Sequence, residues 1–413
     1  MENSTISDVV QKVDELNITS KKYQIMSNIN RLQNIALYIF VFSINFEMLE
    51  VNDNFSVTKF AGILYIITIL PQIQSFFSIQ SLKPVLLPVI FFFVLLTINN
   101  LININELYNE VISQSMMLNV LFFILMINHV RKDYLILEKA LLFFALGSIF
   151  LTLFFILGIG TNYDIDGRLT IFGDNENGIG LKISAALIII LVTIFQNRLK
   201  LNWFRFLMLI PLPFMLKFLA ETGSRVSVIS FALAFALGVV LIKTDAILKK
   251  VLIYLVGGII FFIIIVQLMQ TGVLVERLLR SSDSGDLGGR ALIWERIIPL
   301  IKDHPIFGVG NTGYDFFYMS NFGLNKSPHN VILEILCYTG IVGLIFYSTF
   351  LFQIFLRGYQ SYSKNGWLLP LVLLSPILGM IISGQILHFK IGWMIFAYIV
   401  SSSAIPYIKA ARV

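Results

Sequence analysis

The sequence contains little cysteine and little charge. Its single cysteine, Cys337, cannot form a disulfide within the chain, and no CxxC metal site exists. Only 13% of the 413 residues are charged, whereas about 25% is usual in globular domains. Hydrophobic residues make up 57% of the chain and occur in blocks of about 17–25, the length of a helix that crosses a bilayer. The sequence therefore predicts an all-α polytopic membrane protein.

Several enzyme motifs are also absent. The chain has no P-loop of the form GxxxxGK[ST], no HExxH zinc site and no GxSxG nucleophile elbow. The segment GDLGGR follows no predicted strand, so it does not indicate a dinucleotide site. The predicted outer loops have no acidic DxD cluster to hold a divalent cation for a nucleotide sugar. The chain also shows no soluble catalytic domain. We therefore expect none of these cofactor-binding classes, and we expect any chemistry to act on substrates in the membrane or presented outside it.

About twelve apolar segments are predicted to span the membrane. They lie near residues 34–50, 58–76, 82–98, 109–128, 136–160, 178–196, 201–220, 225–243, 250–271, 329–356, 367–384 and 389–407. Asn45 and Glu47 interrupt the first span, and Pro211 and Pro213 interrupt the seventh. Because the N-terminal segment lacks a basic region followed by a short apolar core, the first span is expected to act as an uncleaved insertion signal.

The distribution of Lys and Arg predicts the orientation. Each segment that would be cytoplasmic with the N-terminus inside carries Lys or Arg, and the first two outer loops, EVNDNFSV and NNLININELYNE, carry none. Both termini are therefore expected to be cytoplasmic. Because the net charge of +6 reflects this bias in the loops, it does not indicate nucleic-acid binding.

The longest polar segment divides the chain into residues 1–271 with nine spans, an outer loop 272–328, and residues 329–413 with three spans. The loop carries several basic residues: Arg277, Arg280, Arg290, Arg296, Lys302 and Lys326. Acidic residues lie nearby in sequence, so a solvated surface loop with paired charges is one interpretation. Within the loop, ALIWERIIPLI has apolar residues at helical spacing, which predicts an amphipathic helix that ends at Pro299 or at HPIFGVG.

Charged residues within membrane spans are costly, so they are candidates for function or for pairing. Here they are Lys182, Lys217, Glu221, Arg225 and Glu334, all toward the predicted outer ends. Snorkelling to the interface is an equal explanation for Lys217. Arg225 differs because it follows a Gly-Ser turn between two spans, where a guanidinium can bind an anion that arrives from outside.

His329 directly precedes the tenth span, in SPHNVILEILCYTGIVG. A histidine at a helix start is more often structural, but a neutral imidazole can accept a proton from a hydroxyl. Its position after the arginine-rich loop makes His329 the candidate base. Of the other histidines, His129 is expected at the inner interface and His304 in a turn before Pro305, while His388 has little context.

Four segments resemble motifs of one family. HNVILEILCYTGIVG has His-Asn, nine residues and Gly-x-x-Gly, and it follows GRALIWERIIPLIKDHPIFGVGNTGYDFF. TGSR begins the eighth span, and FGDNENGIG enters the sixth. In this order, over about residues 170–345 and on one predicted side of the membrane, they resemble the O-antigen ligase and O-antigen/capsule polymerase superfamily of bacterial envelope glycosyltransferases. Val226 is a departure, because the family often has a small residue after Ser-Arg.

The resemblance implies a GT-C-like glycosyltransferase of the bacterial inner membrane whose active site faces the periplasm or outside and needs no metal. The donor would be a glycan on undecaprenyl pyrophosphate, reached among the membrane lipids. Carried over, Arg225 and Arg290 would bind the pyrophosphate and His329 would act on the acceptor hydroxyl. The further substrate-binding candidates are Arg277, Arg296, Asn330 and Glu334. Arg277 and Gly288 would match an Arg-x10-Gly pattern of some polymerases.

Polymerase and ligase share these features. The wealth of Ile, Phe, Asn and Lys is typical of AT-rich genes for strain-variable surface polysaccharides, which favours a polymerase with a chain-length regulator protein as candidate partner. A ligase that transfers the glycan to the lipid A core is the alternative. A transporter or flippase would need charges or broken helices near the bilayer midplane, whereas here the charges collect at the outer ends.

Overall fold

A computed structural model describes most of the chain. The described residues are 26–52, 55–77, 82–103, 112–130, 134–164, 167–242, 247–270, 272–284, 290–324, 326–383 and 386–404. The predictions made for the N-terminal segment, for Gly288 and for the end of the chain after residue 404 lie outside these residues.

Helices make up most of the described chain. The first helices are α1 (26–43), α2 (Val57–Ile69), α3 (Ile73–Phe76), α4 (Lys83–Ile102), α5 (Ile112–Val130) and α6 (Tyr134–Ile156). The middle helices are α7 (Glu176–Gln196), α8 (Leu212–Glu221), α9 (Arg225–Leu241), α10 (Ile247–Met269), α11 (Gly272–Ser284) and α12 (Arg290–Asp303). The last are α13 (Gly310–Phe322), α14 (Val331–Asn365), α15 (Leu369–Val372), α16 (Leu374–Ser383) and α17 (Lys390–Ala404).

Short elements connect the helices. The 3-10 helices are Ile44–Phe46, Leu70–Gln72 and Asn202–Leu209. Two antiparallel strand pairs lie between helices: β1 (Glu50–Asn52) with β2 (Phe55–Ser56), and β3 (Thr161–Tyr163) with β4 (Leu169–Ile171).

Six helical segments of the described chain are long and apolar enough to cross a membrane. They are Val57–Phe77, Lys83–Ile102, Leu135–Ile156, Glu176–Gln196, Asn202–Glu221 and Val331–Asn365. Shorter apolar helices include Ser115–His129, Arg225–Leu241 and Leu369–Ser383. The predicted class, an all-α polytopic membrane protein, is confirmed, and the number of twelve spans stays a prediction.

The two interrupted spans have local explanations. Asn45 lies just after α1, where its Nδ2 donates to the Phe144 carbonyl at 2.9 Å and its Oδ1 accepts from Ser148 at 2.6 Å. A polar group among apolar helices needs such partners. In the seventh span, a 3-10 helix gives way to α8 at Pro211, the N-cap, since proline lacks an N–H to continue the first element.

The predicted amphipathic helix is present as α12, which runs from Arg290 through Pro299 to Asp303. Of the two predicted end points, the later one is right, because the helix stops only before the HPIFGVG turn. Its apolar face, which includes Ile293, Ile297 and Leu300, is buried. α12 packs against α14.

α7 is the most enclosed of the six long apolar segments. Of its apolar stretch, 89% is buried, against 28–50% for the other five. It packs against α6, α8 and α9. The buried Lys182 on this helix binds the Asp174 carboxylate at 2.7 Å, so this charge within a span is paired inside the protein.

α14 is kinked at Gly340, which has a φ of 59° and a ψ of −160°. The segment 305–309 docks against this kink through its backbone. The N–H of Ile341 donates to the Pro305 carbonyl at 2.9 Å, and the N–H of Val309 donates to the Cys337 carbonyl at 2.8 Å. Asn99 of α4 donates from its amide to the Tyr338 carbonyl at 2.9 Å. The polar backbone groups that the kink exposes are therefore satisfied by protein, as an apolar environment requires.

Gly340, the first glycine of GIVG, lies directly against the docked segment. An added Cβ would lie 2.3 Å from the carbonyl carbon and oxygen of Ile306. Gly308 meets the same constraint from the other side, because its Cβ would lie 2.5 Å from the Cys337 carbonyl oxygen. Both glycines also have positive φ, at 59° and 67°, so both reasons exclude larger residues.

We expect Gly340→Ala to destabilise the protein by more than the range of about 0.5–3 kcal/mol typical of single substitutions. The methyl group would overlap the Ile306 carbonyl and force segment 305–309 off the kink. Gly366→Ala, at the end of the same helix, is the matched control. Gly366 has a φ of 68° and nothing within 4 Å of an added Cβ, so the left-handed strain of roughly 1–2 kcal/mol acts alone. Thermal unfolding of the purified protein in detergent measures both, and equal losses would contradict the docking argument.

Candidate functional site

Three arginines from three different helices meet at one end of the helix bundle. Arg225 is the first residue of α9, Arg277 lies within α11, and Arg290 is the first residue of α12. His329 lies beside them, just before α14 begins at Val331. We call this region the arginine end. It unites residues that the sequence motifs single out, although Arg225 and His329 are more than one hundred positions apart in the chain.

Backbone carbonyls of neighbouring elements orient the three guanidinium groups. Arg225 Nη1 donates to the Arg277 carbonyl at 3.3 Å, and Arg277 Nη1 donates to the Gly223 carbonyl at 3.1 Å. Arg290 Nη1 donates to the carbonyl of Ile382, near the end of α16, at 3.4 Å. Each bond uses one of the five N–H groups that a guanidinium carries.

The electrostatic field of the site favours an anion. Partial burial lowers the pKa of the Arg290 guanidinium from its usual value, and the positive charges of Arg225 and Arg277 lower it further. The electrostatic energy of such a cluster of mutually repelling cations becomes more favourable when an anion lies between them. Guanidinium groups bind phosphate oxygens through charge-assisted and often bidentate hydrogen bonds.

The start of α9 adds uncapped backbone donors. Ser224 is the N-cap residue, yet its side chain makes no cap hydrogen bond. Its hydroxyl instead donates to Asn177 Oδ1 at 3.0 Å and lies 2.7 Å from the Ser227 hydroxyl. The N–H groups of the first helical turn therefore have no side-chain cap from Ser224. They form the positive end of the helix dipole, a position suited to an anion.

Arg168 was missed by the sequence analysis, and it braces the turn that leads into α9. It lies in the connection between β3 and β4, directly before β4, and only 9% of its surface is exposed. Its Nε donates to the Thr222 carbonyl at 3.2 Å, its Nη2 donates to Asn177 Oδ1 at 3.1 Å, and its Nη1 pairs with Glu176 at 2.9 Å. The available signal was an arginine on the predicted outer side a few residues before FGDNENGIG.

The FGDNENGIG segment is explained as framework around this turn. Asp174 pairs with Lys182, and Asn175 caps α7 by accepting from the Gly178 N–H at 2.8 Å. Glu176 and Asn177 both bind the Arg168 guanidinium. The segment therefore connects the start of α7 to the start of α9.

His329 has a φ of 51°, in the left-handed region that non-glycine residues rarely adopt. Two side chains hold it there. The backbone N–H of His329 donates to Ser327 Oγ at 3.2 Å, and the Ser327 hydroxyl donates to Glu334 Oε1 at 2.6 Å. Glu334 is buried, with only 1% of its surface exposed. Strained conformations that cost of order 1–3 kcal/mol persist where the surroundings fix them, often at functional sites.

The pKa of His329 is lowered from its usual value, first by partial burial and then by the positive charges of Arg290 and Lys326. The imidazole is therefore neutral near pH 7 and can accept a proton. Trp294 of α12 fixes the preceding residue, because its Nε1 donates to the Pro328 carbonyl at 2.9 Å.

The remaining predicted site residues have different surroundings. Asn330 caps α14, since its Oδ1 accepts from the N–H groups of Ile332 at 3.0 Å and Leu333 at 3.3 Å. Arg296 lies apart from the three clustered arginines, and its guanidinium stacks 4.5 Å above the ring of Phe322. The structure thus brings together Arg225, Arg277, Arg290 and His329, with Asn330 and Glu334 behind the histidine. In the described residues, no group of three or more His, Cys, Asp and Glu side chains is placed to hold a metal ion.

Residues 211–348, about a third of the chain, match the family model described as O-Antigen ligase. The resemblance to the O-antigen ligase and polymerase superfamily is confirmed. The matched region begins just before α8 and ends within α14, so it includes the three clustered arginines and His329. Proteins of this family are membrane glycosyltransferases of the O-antigen ligase or polymerase type. No curated protein matches the chain.

We expect Ser327→Ala to lower kcat for glycan transfer by roughly tenfold to a hundredfold, with a smaller change in KM. The substitution removes the acceptor for the backbone N–H of His329 and the donor to Glu334. The backbone that positions the imidazole therefore loses this support. Ser327→Thr keeps the hydroxyl and should retain most of the activity. Steady-state kinetics of the purified variants measure both. Full kcat in Ser327→Ala would show that His329 does not depend on this contact.

Proposed function

We propose that this protein is a surface polysaccharide polymerase that joins undecaprenyl-pyrophosphate-linked repeat units at the outer face of the bacterial inner membrane. The observation that carries the proposal is the convergence of Arg225, Arg277 and Arg290 with His329 at one end of the bundle. An anion-binding cluster beside a neutral base fits a reaction whose leaving group is a pyrophosphate and whose nucleophile is a hydroxyl.

In the proposed reaction, the acceptor hydroxyl oxygen attacks the anomeric carbon of the donor glycan. The bond from that carbon to the phosphate oxygen breaks, and its electron pair stays on the pyrophosphate. The arginine cluster stabilises the negative charge that develops there. His329 takes the proton of the hydroxyl, for which the lowered pKa of its imidazole keeps it in the basic form. The arginines occupy the place that a metal ion takes in many phosphate-dependent transferases.

An apolar groove supports a lipid-linked donor. It has a volume of about 540 Å³ and lies between α9, α14 and α16, with Leu237, Phe355, Leu378 and Ile381 among its walls. Ile381 immediately precedes Ile382, whose carbonyl accepts a hydrogen bond from Arg290. A polyprenyl chain in this groove would therefore place its pyrophosphate at the arginine end, with membrane lipids alongside.

A ligase is the second candidate, because the matching family is described as O-Antigen ligase. The same groups would then transfer the glycan to a lipid A core sugar. Polymerase and ligase differ in the acceptor alone. The composition of the chain favours the polymerase, for which a chain-length regulator would be a natural partner. We expect no nucleic-acid partner and two cytoplasmic termini.

The purified protein in detergent or liposomes, given only the lipid-linked repeat units, should form longer glycans without lipid A. His329→Ala should lower this rate by about 10²–10⁴-fold, the usual contribution of general acid–base catalysis. Arg225→Ala should lose chain growth because it removes a guanidinium that donates hydrogen bonds to the pyrophosphate. Lys302→Ala is the matched control and should stay active. Lys302 is an exposed cation near the C-terminal end of α12, away from Arg290. Growth only after addition of lipid A core would favour the ligase. Full chain growth by His329→Ala would overturn the role of the histidine.

The rate of transfer should fall at acidic pH as His329 takes up a proton. Because its pKa is lowered, kcat/KM should hold as the pH falls through about 6.5, the ordinary histidine pKa, and decline only below it. Lys326→Gln removes one of the charges that lower this pKa, so the acid limb should move to higher pH. Lys302→Gln should leave the limb where it is. Identical acid limbs in Lys326→Gln and the unmodified protein would argue against His329 as the titrating base.

A further inference from the structure

A second cavity lies at the C-terminal end of α12, the end away from Arg290. It has a volume of about 400 Å³ and is enclosed by the end of α12, by α13 and by the end of α4. Its polar walls come from Asn103, His304, Ser320 and Asn321, and its apolar walls include Phe316 and Phe317. The volume falls in the range of roughly 300–1,000 Å³ typical of small-molecule sites. We call this cavity the α12–α13 cleft.

The side chains of the cleft suit a neutral, hydroxyl-rich ligand. No Lys, Arg, Asp or Glu is among the residues that line it, in contrast to the arginine cluster. Asn103 and Asn321 each donate one amide N–H to a carbonyl of their own helix, at 2.9 and 2.8 Å. These bonds fix the amides while leaving them further donor and acceptor capacity. Phe316 is 47% exposed, and a ring of this kind can pack against the apolar C–H face of a pyranose.

The walls of the cleft contact other parts of the chain. Val309 is anchored by its N–H, which donates to the Cys337 carbonyl at 2.8 Å. Phe317 packs edge-to-face on Phe322 at 6.2 Å, and the Arg296 guanidinium covers the ring of Phe322 at 4.5 Å. Arg296, which the sequence analysis placed among the substrate-binding residues, thus supports an aromatic wall of the cleft.

α12 links the cleft to the histidine. Trp294 binds the carbonyl of Pro328, the residue before His329, and Leu300 on the same helix lines the cleft. Six residues of α-helix correspond to about 9 Å. A glycan that reaches from His329 to the cleft therefore has to extend at least this far along α12.

From these contacts we infer that the α12–α13 cleft is a saccharide subsite that binds an uncharged sugar of the lipid-linked glycan. The aromatic wall takes the apolar face of the sugar, and Asn103, Ser320 and Asn321 bind its hydroxyls. The inference rests on the proposed glycan transfer at the arginine end. It adds that the glycan is recognised away from the pyrophosphate, by contacts that need no charge.

The test uses the full-length protein and the oligosaccharide released by mild acid from the cell's own lipid-linked repeat unit. Isothermal titration measures its binding. Ser320→Trp fills the cleft and should weaken binding by at least about tenfold, a loss of about 1.4 kcal/mol. Met319→Trp is the matched control, because Met319 is the neighbouring exposed residue and does not line the cleft. It should bind like the unmodified protein. If Ser320→Trp fails to fold, the double variant Asn103→Ala and Asn321→Ala provides the test, because it adds no bulk. It should also weaken binding.

Arg225→Ala separates the two proposals, because the released oligosaccharide has no pyrophosphate. This variant should bind the oligosaccharide normally and fail to transfer lipid-linked glycan. Unchanged binding in Ser320→Trp or in the double Asn variant would overturn the subsite while leaving the proposed transfer intact. Full transfer by Arg225→Ala and His329→Ala would instead overturn the proposed function.

Discussion

The docking of segment 305–309 against the kink at Gly340 is the contact on which the rest of the site depends. It joins two parts of the chain through backbone hydrogen bonds, and glycines on both sides allow the close approach. The docked segment ends α12 and begins α13, so it sets where both helices lie relative to α14. Arg290, at the far end of α12, and His329, just before α14, are thereby held in one region.

The arginine end combines repulsion with restraint. Guanidinium groups that lower the pKa of a neighbour would separate if they were free, but here each donates to a carbonyl of another element. Burial lowers the pKa of His329, and the positive charges of Arg290 and Lys326 lower it further, which favours the neutral imidazole. Positive charge therefore contributes both to the anion site and to the proton acceptor.

The motif residues divide into framework and candidate chemistry, and the sequence did not separate them. Asn330 is as prominent in the motif as His329, yet its side chain caps α14. Arg296 and Arg290 lie six positions apart on one helix. Six residues at 3.6 per turn point in different directions, so one reaches the arginine cluster and the other reaches Phe322. Arg168 escaped notice because its importance comes from contacts with Thr222 and Asn177 across the bundle.

The sequence by itself determined the helical membrane class, the amphipathic α12, the resemblance to one family, and the residue types of the candidate site. These follow from local properties, namely the length of apolar blocks, helical spacing and ordered motifs. Tertiary structure alone decided that Pro211 begins a helix while Pro299 lies inside one, and that Gly340 kinks α14. It also decided which arginines meet and how Ser327 and Glu334 hold His329. The physical reason is that burial and pairing depend on neighbours distant in sequence, which no local pattern records.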